Sequence, residues 1–157
     1  MIMKYIKLIL VLMIFNISIY AQNITENSLP SRAKNFLNIN FPGNTVEAVS
    51  LYQNGGGYEV DINFGYKIIF YNTGLWKKIS IINDETKNIG IPRSCIHKSM
   101  VNVIDNEYPH SKITYIERRD KNYIIKLDDK YLLEISGYGI IISQKNLEEE
   151  SKEEQQQ

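Results

Sequence analysis

The sequence predicts an α+β fold: two tandem repeats, each a helix followed by a four-stranded antiparallel meander, with the helices on one face of a curved sheet. Three observations predict it. The apolar set Leu29, Ala33, Phe36, Leu37, Phe41-Pro42 recurs as Ile96, Met100, Val103, Ile104, Tyr108-Pro109 at a constant offset of 67. The set Tyr58, Val60, Ile62, Tyr66, Ile68, Phe70, Gly74 recurs as Tyr123, Ile125, Leu127, Tyr131, Leu133, Ile135, Gly139 at an offset of 65. Within each copy the apolar period changes from 3.6 to 2. A repeat of this length dictates architecture before any other signal.

The order of elements follows along the chain. Met1–Ala21 reads as a signal peptide: Lys4 and Lys7 precede the apolar run Leu8–Ile14, and Ala21 is a small residue at the expected cut. Asn16 and Ser18 interrupt the run, which is short for a membrane span, so cleavage is favoured over anchoring and no stable insertion is expected afterwards. Residues 22–28 form a short linker. Repeat 1 covers 29–82. Its helix stripe runs from Leu29 to Phe41, with Ser28 as the N-cap candidate and Pro42 as the stop. Strands are expected at 46–53, 58–64, 66–71 and 75–82, separated by the glycines of 55–57, by Gly65 and by Asn72-Thr73-Gly74. Residues 83–95 form the connector, whose polar first part, Asn83–Asn88, suits a surface link. Repeat 2 covers 96–145, with Ser94 as cap candidate, Pro109 as stop, and strands at 113–117, 123–127, 131–135 and 140–143. Residues 146–157 read as a disordered acidic and Gln-rich tail.

One such unit alone buries too little surface to be stable, so the two halves are expected to form one structural domain. The chain carries 18 basic and 18 acidic residues, and their signs are interspersed. That argues against nucleic acid, which needs a concentrated basic face. Cys95 is the single cysteine and cannot form an internal disulfide, so partial burial is its expected state.

The phrase from Leu29-Pro30 through Ala33-Lys34, Phe36, Phe41-Pro42-Gly43 and Gly57-Tyr58-Glu59-Val60 to Trp76-Lys77-Lys78-Ile79 resembles the PepSY-like family of secreted proteins. That family is also described as beta-lactamase-inhibitor-like. The run Ile96–Leu127 looks like its tandem partner. The likeness covers most of 29–145 and departs from the pattern where His110 stands for Gly43 and Ile141 for Trp76. The resemblance implies an exported α/β module with helices on one sheet face. The related inhibitor architecture clasps a target enzyme with its open face.

Catalytic chemistry finds no footing in the residues. His97 and His110 are the only histidines, and no Cys, His and Asp cluster has metal-ligand spacing. Ser94-Cys95-Ile96-His97 lacks the glycines of a nucleophile elbow, and Gly55-Gly56-Gly57 lacks the lysine and helix of a phosphate cradle. The sequence therefore reads as non-enzymatic, with no catalytic residue, cofactor or metal assigned. Strand positions out of phase with the core are more informative. They make a candidate partner-binding face of Glu59, Asp61, Lys67, Ile69, Tyr71, Ile124, Lys126, Leu132 and Glu134, apolar anchors among charges. The expected function is an exported, non-enzymatic binding module of the cell envelope that holds or inhibits a protein partner there. The alternative is a periplasmic small-ligand or cation-binding carrier or sensor using Glu59, Asp61 and Asp128.

Overall fold

A computed structural model describes residues 24–53 and 55–149; the predicted signal peptide and residues 150–157 lie outside the described residues. Helix α1 spans Ser31–Asn40 and is followed by β1 (Val46–Tyr52), β2 (Gly57–Ile62), β3 (Tyr66–Tyr71) and β4 (Trp76–Ile81). A short helix α2 (Asp84–Lys87) leads to α3 (Lys98–Glu107). Then come β5 (Ile113–Arg119), β6 (Asn122–Leu127), β7 (Tyr131–Ser136) and β8 (Ile141–Asn146). All eight strands form one antiparallel sheet in sequence order. The two four-strand runs meet at β4 and β5 through Lys78↔Glu117, Ile79↔Ile116 and Ser80↔Tyr115.

Both helices end as proline dictates. Phe41 and Tyr108, each before a proline, leave helical geometry at ψ 53° and 63°, and donate their N–H groups to Leu37 and Ile104. The starts differ from the sequence expectation. Ser28 caps nothing in α1: it closes a 3₁₀ turn at Glu26–Ser28, where its hydroxyl oxygen accepts the Thr25 N–H, and α1 starts after Pro30. Ser94 likewise sits inside a 3₁₀ turn, Arg93–Cys95. The cap of α3 is His97, whose Nδ1 accepts the Ser99 N–H at 3.3 Å. A ring nitrogen serves there where a serine oxygen was expected.

One core cluster joins Ala33, Leu37 and Phe41 with Met100 and Ile104. It also takes in the in-phase strand residues Val60, Ile68, Phe70, Ile79, Ile116, Ile125, Leu133 and Ile135. Each fully buried Ile or Phe contributes about 1.5–3 kcal/mol. The connector keeps Asn83, Asp84, Glu85 and Asn88 exposed, as its polar composition predicts, but three bonds tie it to the sheet. Thr86 is 3% exposed and donates its hydroxyl to the Phe64 carbonyl. Tyr66 donates to the Gly90 carbonyl at 3.0 Å, and Ile91 is buried and pairs with Ile113. The start of the tail also differs, because strand pairing outlasts the polar composition. Asn146 pairs with Tyr131, Leu147 donates to the Lys130 carbonyl, and Glu148 lies 3.1 Å from the Lys130 ammonium.

Turn geometry fixes the register. Asn63 Oδ1 accepts the Thr45 N–H at 3.0 Å, and Asp128 Oδ1 accepts the Lys112 N–H at 2.8 Å. Each pins the end of one strand to the residue entering another. Strand β1 is bulged between Val46 and Ala48, and β5 between Ile113 and Tyr115. Such bulges add twist where the chain enters the sheet.

Candidate partner-binding face

Residues paired across an antiparallel ladder share a face, so the register carries out-of-phase positions across the sheet as rows. One row runs Ser50, Glu59, Ile69, Lys78, Glu117, Ile124, Glu134, Ser143. A second runs Ala48, Asp61, Lys67, Ser80, Tyr115, Lys126, Leu132, Lys145. Tyr71 pairs with Gly57 beside them. All nine sequence-predicted residues therefore fall on the side opposite the core positions, and the β4–β5 seam joins the five of the first half to the four of the second.

Their environments differ. Lys67 bonds Glu59 Oε1 and lies 3.3 Å from Asp61 Oδ1, near enough for charge attraction but without hydrogen-bond alignment. The bond to Glu59 is the main influence holding the Lys67 ammonium above its ordinary pKa. Glu134 accepts a 2.7 Å bond from Asn122 Nδ2. Tyr71, Ile124, Lys126, Leu132 and Glu134 are half-buried. Ile69 departs from the expectation of an accessible anchor. It is 4% exposed yet stands outside the core cluster, so its own face covers it, between Glu59 and Lys78.

The seam adds residues that sequence reading missed. Lys77 lies over the rings of Tyr52 and Tyr71, at 5.0 and 5.8 Å, and Lys78 over Tyr115 at 5.4 Å. Tyr115 donates to Glu117 Oε2 at 3.1 Å, and Arg119 donates to the same oxygen. Burial, and then the Glu117 charge, push the Tyr115 hydroxyl up to about 12. The alternation of Tyr115, Glu117 and Arg119 was the available signal for β5. The lysines of β4 were hidden by a bulge, where Phe70 pairs with Trp76 but Ile69 with Lys78.

The cation alternative finds its acids apart. Glu59 and Asp61 lie on β2 and share Lys67, whereas Asp128 follows β6, four strand spacings away, about 19 Å. Among the described residues no group of three or more His, Cys, Asp and Glu could hold a metal ion. His97 and His110 are both exposed, and His110 takes up φ 72°, the left-handed conformation that Gly43 adopts at φ 79°. Cys95 is buried, which pushes its thiol up to about 12. Among the described residues no helix is long and apolar enough to cross a membrane.

The fold and this face together define an α+β sheet module with a charged surface, set with apolar and aromatic side chains. The chain belongs to the PepSY-like family: the model described as "Putative beta-lactamase-inhibitor-like, PepSY-like" matches residues 56–143, more than half of the chain. Among curated proteins, none matches the sequence. Solved structures share the fold. A putative periplasmic protein of the DUF2874 family from Bacteroides vulgatus is 24% identical with a TM-score of 0.68, over 78% of this chain and 94% of that one. A putative calcium-regulated periplasmic protein from Bacteroides thetaiotaomicron is 24% identical with a TM-score of 0.69, over 78% and 94%. A second periplasmic protein from Bacteroides vulgatus is 21% identical with a TM-score of 0.64, over 76% and 94%.

Proposed function

We propose that this chain is an exported, non-enzymatic binding module that holds an envelope protein through the open face of its sheet. In this reading two copies of one unit lie side by side, with both helices against the core face. The matched Asn63 and Asp128 clamps, the matched bulges and the shared core cluster support that arrangement. The targeting pattern of Met1–Ala21 and the periplasmic description of the structural neighbours support export with cleavage after Ala21.

The observation that carries the proposal is the unbroken row from Glu59 to Glu134 across the seam. Half-buried Tyr71, Ile124 and Leu132 lie among charges of which several are already engaged within the face, Lys67 with Glu59, Arg119 with Glu117 and Glu134 with Asn122. Such pairing lowers the cost of covering the charges with a partner, while the apolar groups supply the attraction. The test is cross-linking and recovery of partners from the envelope with wild type and with Ile124→Lys, which faces Glu117 and Glu134, combined with Leu132→Asp, which faces Lys126 and Lys145. Ile69 is left intact, because its burial makes substitution there a stability change. The double variant is expected to lose its partners while keeping its melting temperature. Recovery of the same partners in equal yield would show that the sheet face is not the binding surface.

A further inference from the structure

A cleft of about 310 Å³ opens beside α1, away from the sheet-face rows, and its wall includes Arg32, Phe36, Asn40, Trp76 and Arg118. Its lining contains two arginines and no acid, and among the described residues no ion pair involves either arginine. Arg118 is held in place rather than free to swing. Its guanidinium stacks 4.5 Å from the Trp76 ring and 5.0 Å from Tyr123, and Nη1 donates to the Tyr123 hydroxyl at 2.7 Å. Two polar atoms of the wall are buried without a partner: the Arg118 Nε donor and the Asn40 Oδ1 acceptor. Asn40 is 8% exposed, and its Nδ2 is already committed to the Phe36 carbonyl at 2.9 Å. Orphaned buried groups of this kind are costly, and in native structures they often await a ligand or a water.

Taken together, the unmatched groups describe a complementary molecule. Two positive charges without an acid call for an anion, and a guanidinium fork matches a carboxylate. The buried acceptor calls for an N–H. Half-buried Phe36 and Ile39, which is 64% exposed, line the same cleft and call for an apolar group. A carboxylate, an adjacent amide N–H and an apolar side chain are the three parts of a peptide's last residue. We propose that this cleft binds the free C-terminus of a peptide ending in an apolar residue, with Arg118 and Arg32 on the carboxylate and Asn40 Oδ1 on the amide N–H.

Trp76 is the only tryptophan of the chain, so its fluorescence reports the cleft directly. The full-length chain is titrated with N-acetyl-Gly-Phe, with the same peptide amidated at its C-terminus, and with 3-phenylpropionate. The free acid is expected to give a saturable change in emission, and the amide to bind at least about tenfold more weakly. Phenylpropionate, lacking the N–H, is expected to bind more weakly than the free peptide. Arg118→Gln should weaken the free peptide at least about tenfold and Arg32→Ala about threefold. Arg32 is exposed, so its variant reports on the site even where Arg118→Gln perturbs folding. Absence of saturation up to about 10 mM, equal binding of acid and amide, or an unchanged Arg32→Ala affinity would overturn the assignment. Phenylpropionate binding as tightly as the peptide would overturn the peptide terminus in favour of a small acid. Ile124→Lys with Leu132→Asp should leave these titrations unchanged, which separates this cleft from the sheet face.

Discussion

The helix-and-four-strand region from Ser31 to Ile81 and the one from Lys98 to Asn146 agree where the backbone is fixed and disagree on the open face. Both regions end their helix with an N–H bond of 2.8 Å, from Phe41 to Leu37 and from Tyr108 to Ile104. Both enter the sheet through a bulge, and both clamp a strand end with an Asn or Asp side chain. On the open face Glu59 pairs with Ile69 in the first region, whereas Ile124 pairs with Glu134 in the second, so acid and isoleucine have exchanged strands. Asp61 faces Lys67, but Lys126 faces Leu132. A few turn, bulge and core positions thus suffice to hold the geometry, leaving the surface rows free to differ. The first region's face pairs Lys67 with Glu59 and Asp61, and the second's sets Ile124 and Leu132 beside Glu134 and Lys126.

The strongest test of the comparison is in the core. Leu37 and Ile104 occupy corresponding helix positions, at 6% and 0% exposure. Ile104→Ala is expected to cost about 3–4 kcal/mol and Leu37→Ala about 2–3 kcal/mol, read from urea denaturation. Because both side chains belong to one cluster, each variant should still unfold in a single transition. Two separated transitions in either variant would show that the halves fold independently.

A smaller effect is expected at the glycines that let each β-turn pass its helix. Gly139 adopts φ 82°, and a Cβ there would stand 2.5 Å from the Ser99 carbonyl oxygen. Gly74 adopts φ 77°, and its Cβ would stand 2.9 Å from the Ala33 nitrogen and from Pro30 Cβ. Gly139→Ala should destabilise by about 2–3 kcal/mol and Gly74→Ala by about 1–2 kcal/mol, since the backbone contact at Gly139 is the closer of the two. Thermal melts that rank the two in the opposite order would break this account of the turns.

Local pattern made the strands legible, together with the phase that sorts Glu59, Asp61 and Lys67 from Val60, Ile62 and Ile68. Alternation within one strand is visible without its neighbours. What required neighbours was not legible. The pairing of Lys78 with Glu117 links residues 39 apart in sequence, and no local signal announces it. Ile69 looked like an exposed anchor because its burial comes from side chains on adjacent strands. Ser28 and Ser94 looked like caps because a serine before an apolar stripe usually is one, but short 3₁₀ turns took up both. The polar run Asn83–Asn88 is mostly exposed, as a surface link should be, but Thr86 within it and Gly90 after it close bonds with Phe64 and Tyr66 that only the folded sheet presents. Arg118 drew no notice at all: its stack on Trp76 needs β4 and β5 in register.

The smallest expected effect lies in the turns that follow β2 and β6, at Phe64 and Asp129. Both residues have positive φ, 63° and 55°, but they do different work. Phe64 is exposed and only its carbonyl is used, by Thr86. The Asp129 carboxylate accepts the Thr114 hydroxyl at 2.7 Å and lies 2.9 Å from the Lys87 ammonium. Burial pushes this carboxyl up, but the Lys87 and Thr114 bonds outweigh it, and its pKa lies below the ordinary value. A carboxyl lowered on folding adds stability above its unfolded pKa, about pH 4, and loses that contribution as pH falls through the folded value. Asp129→Asn should therefore melt below wild type at pH 7, and the gap should close as the medium is acidified past about pH 4. Added salt should narrow the gap at neutral pH, because Lys87 and Asp129 are both partly exposed and their attraction is screened. A gap that stays constant from neutral to acid pH would assign the Asp129 contribution to its neutral hydrogen bond with Thr114 alone. The two turns would then differ in shape and not in charge.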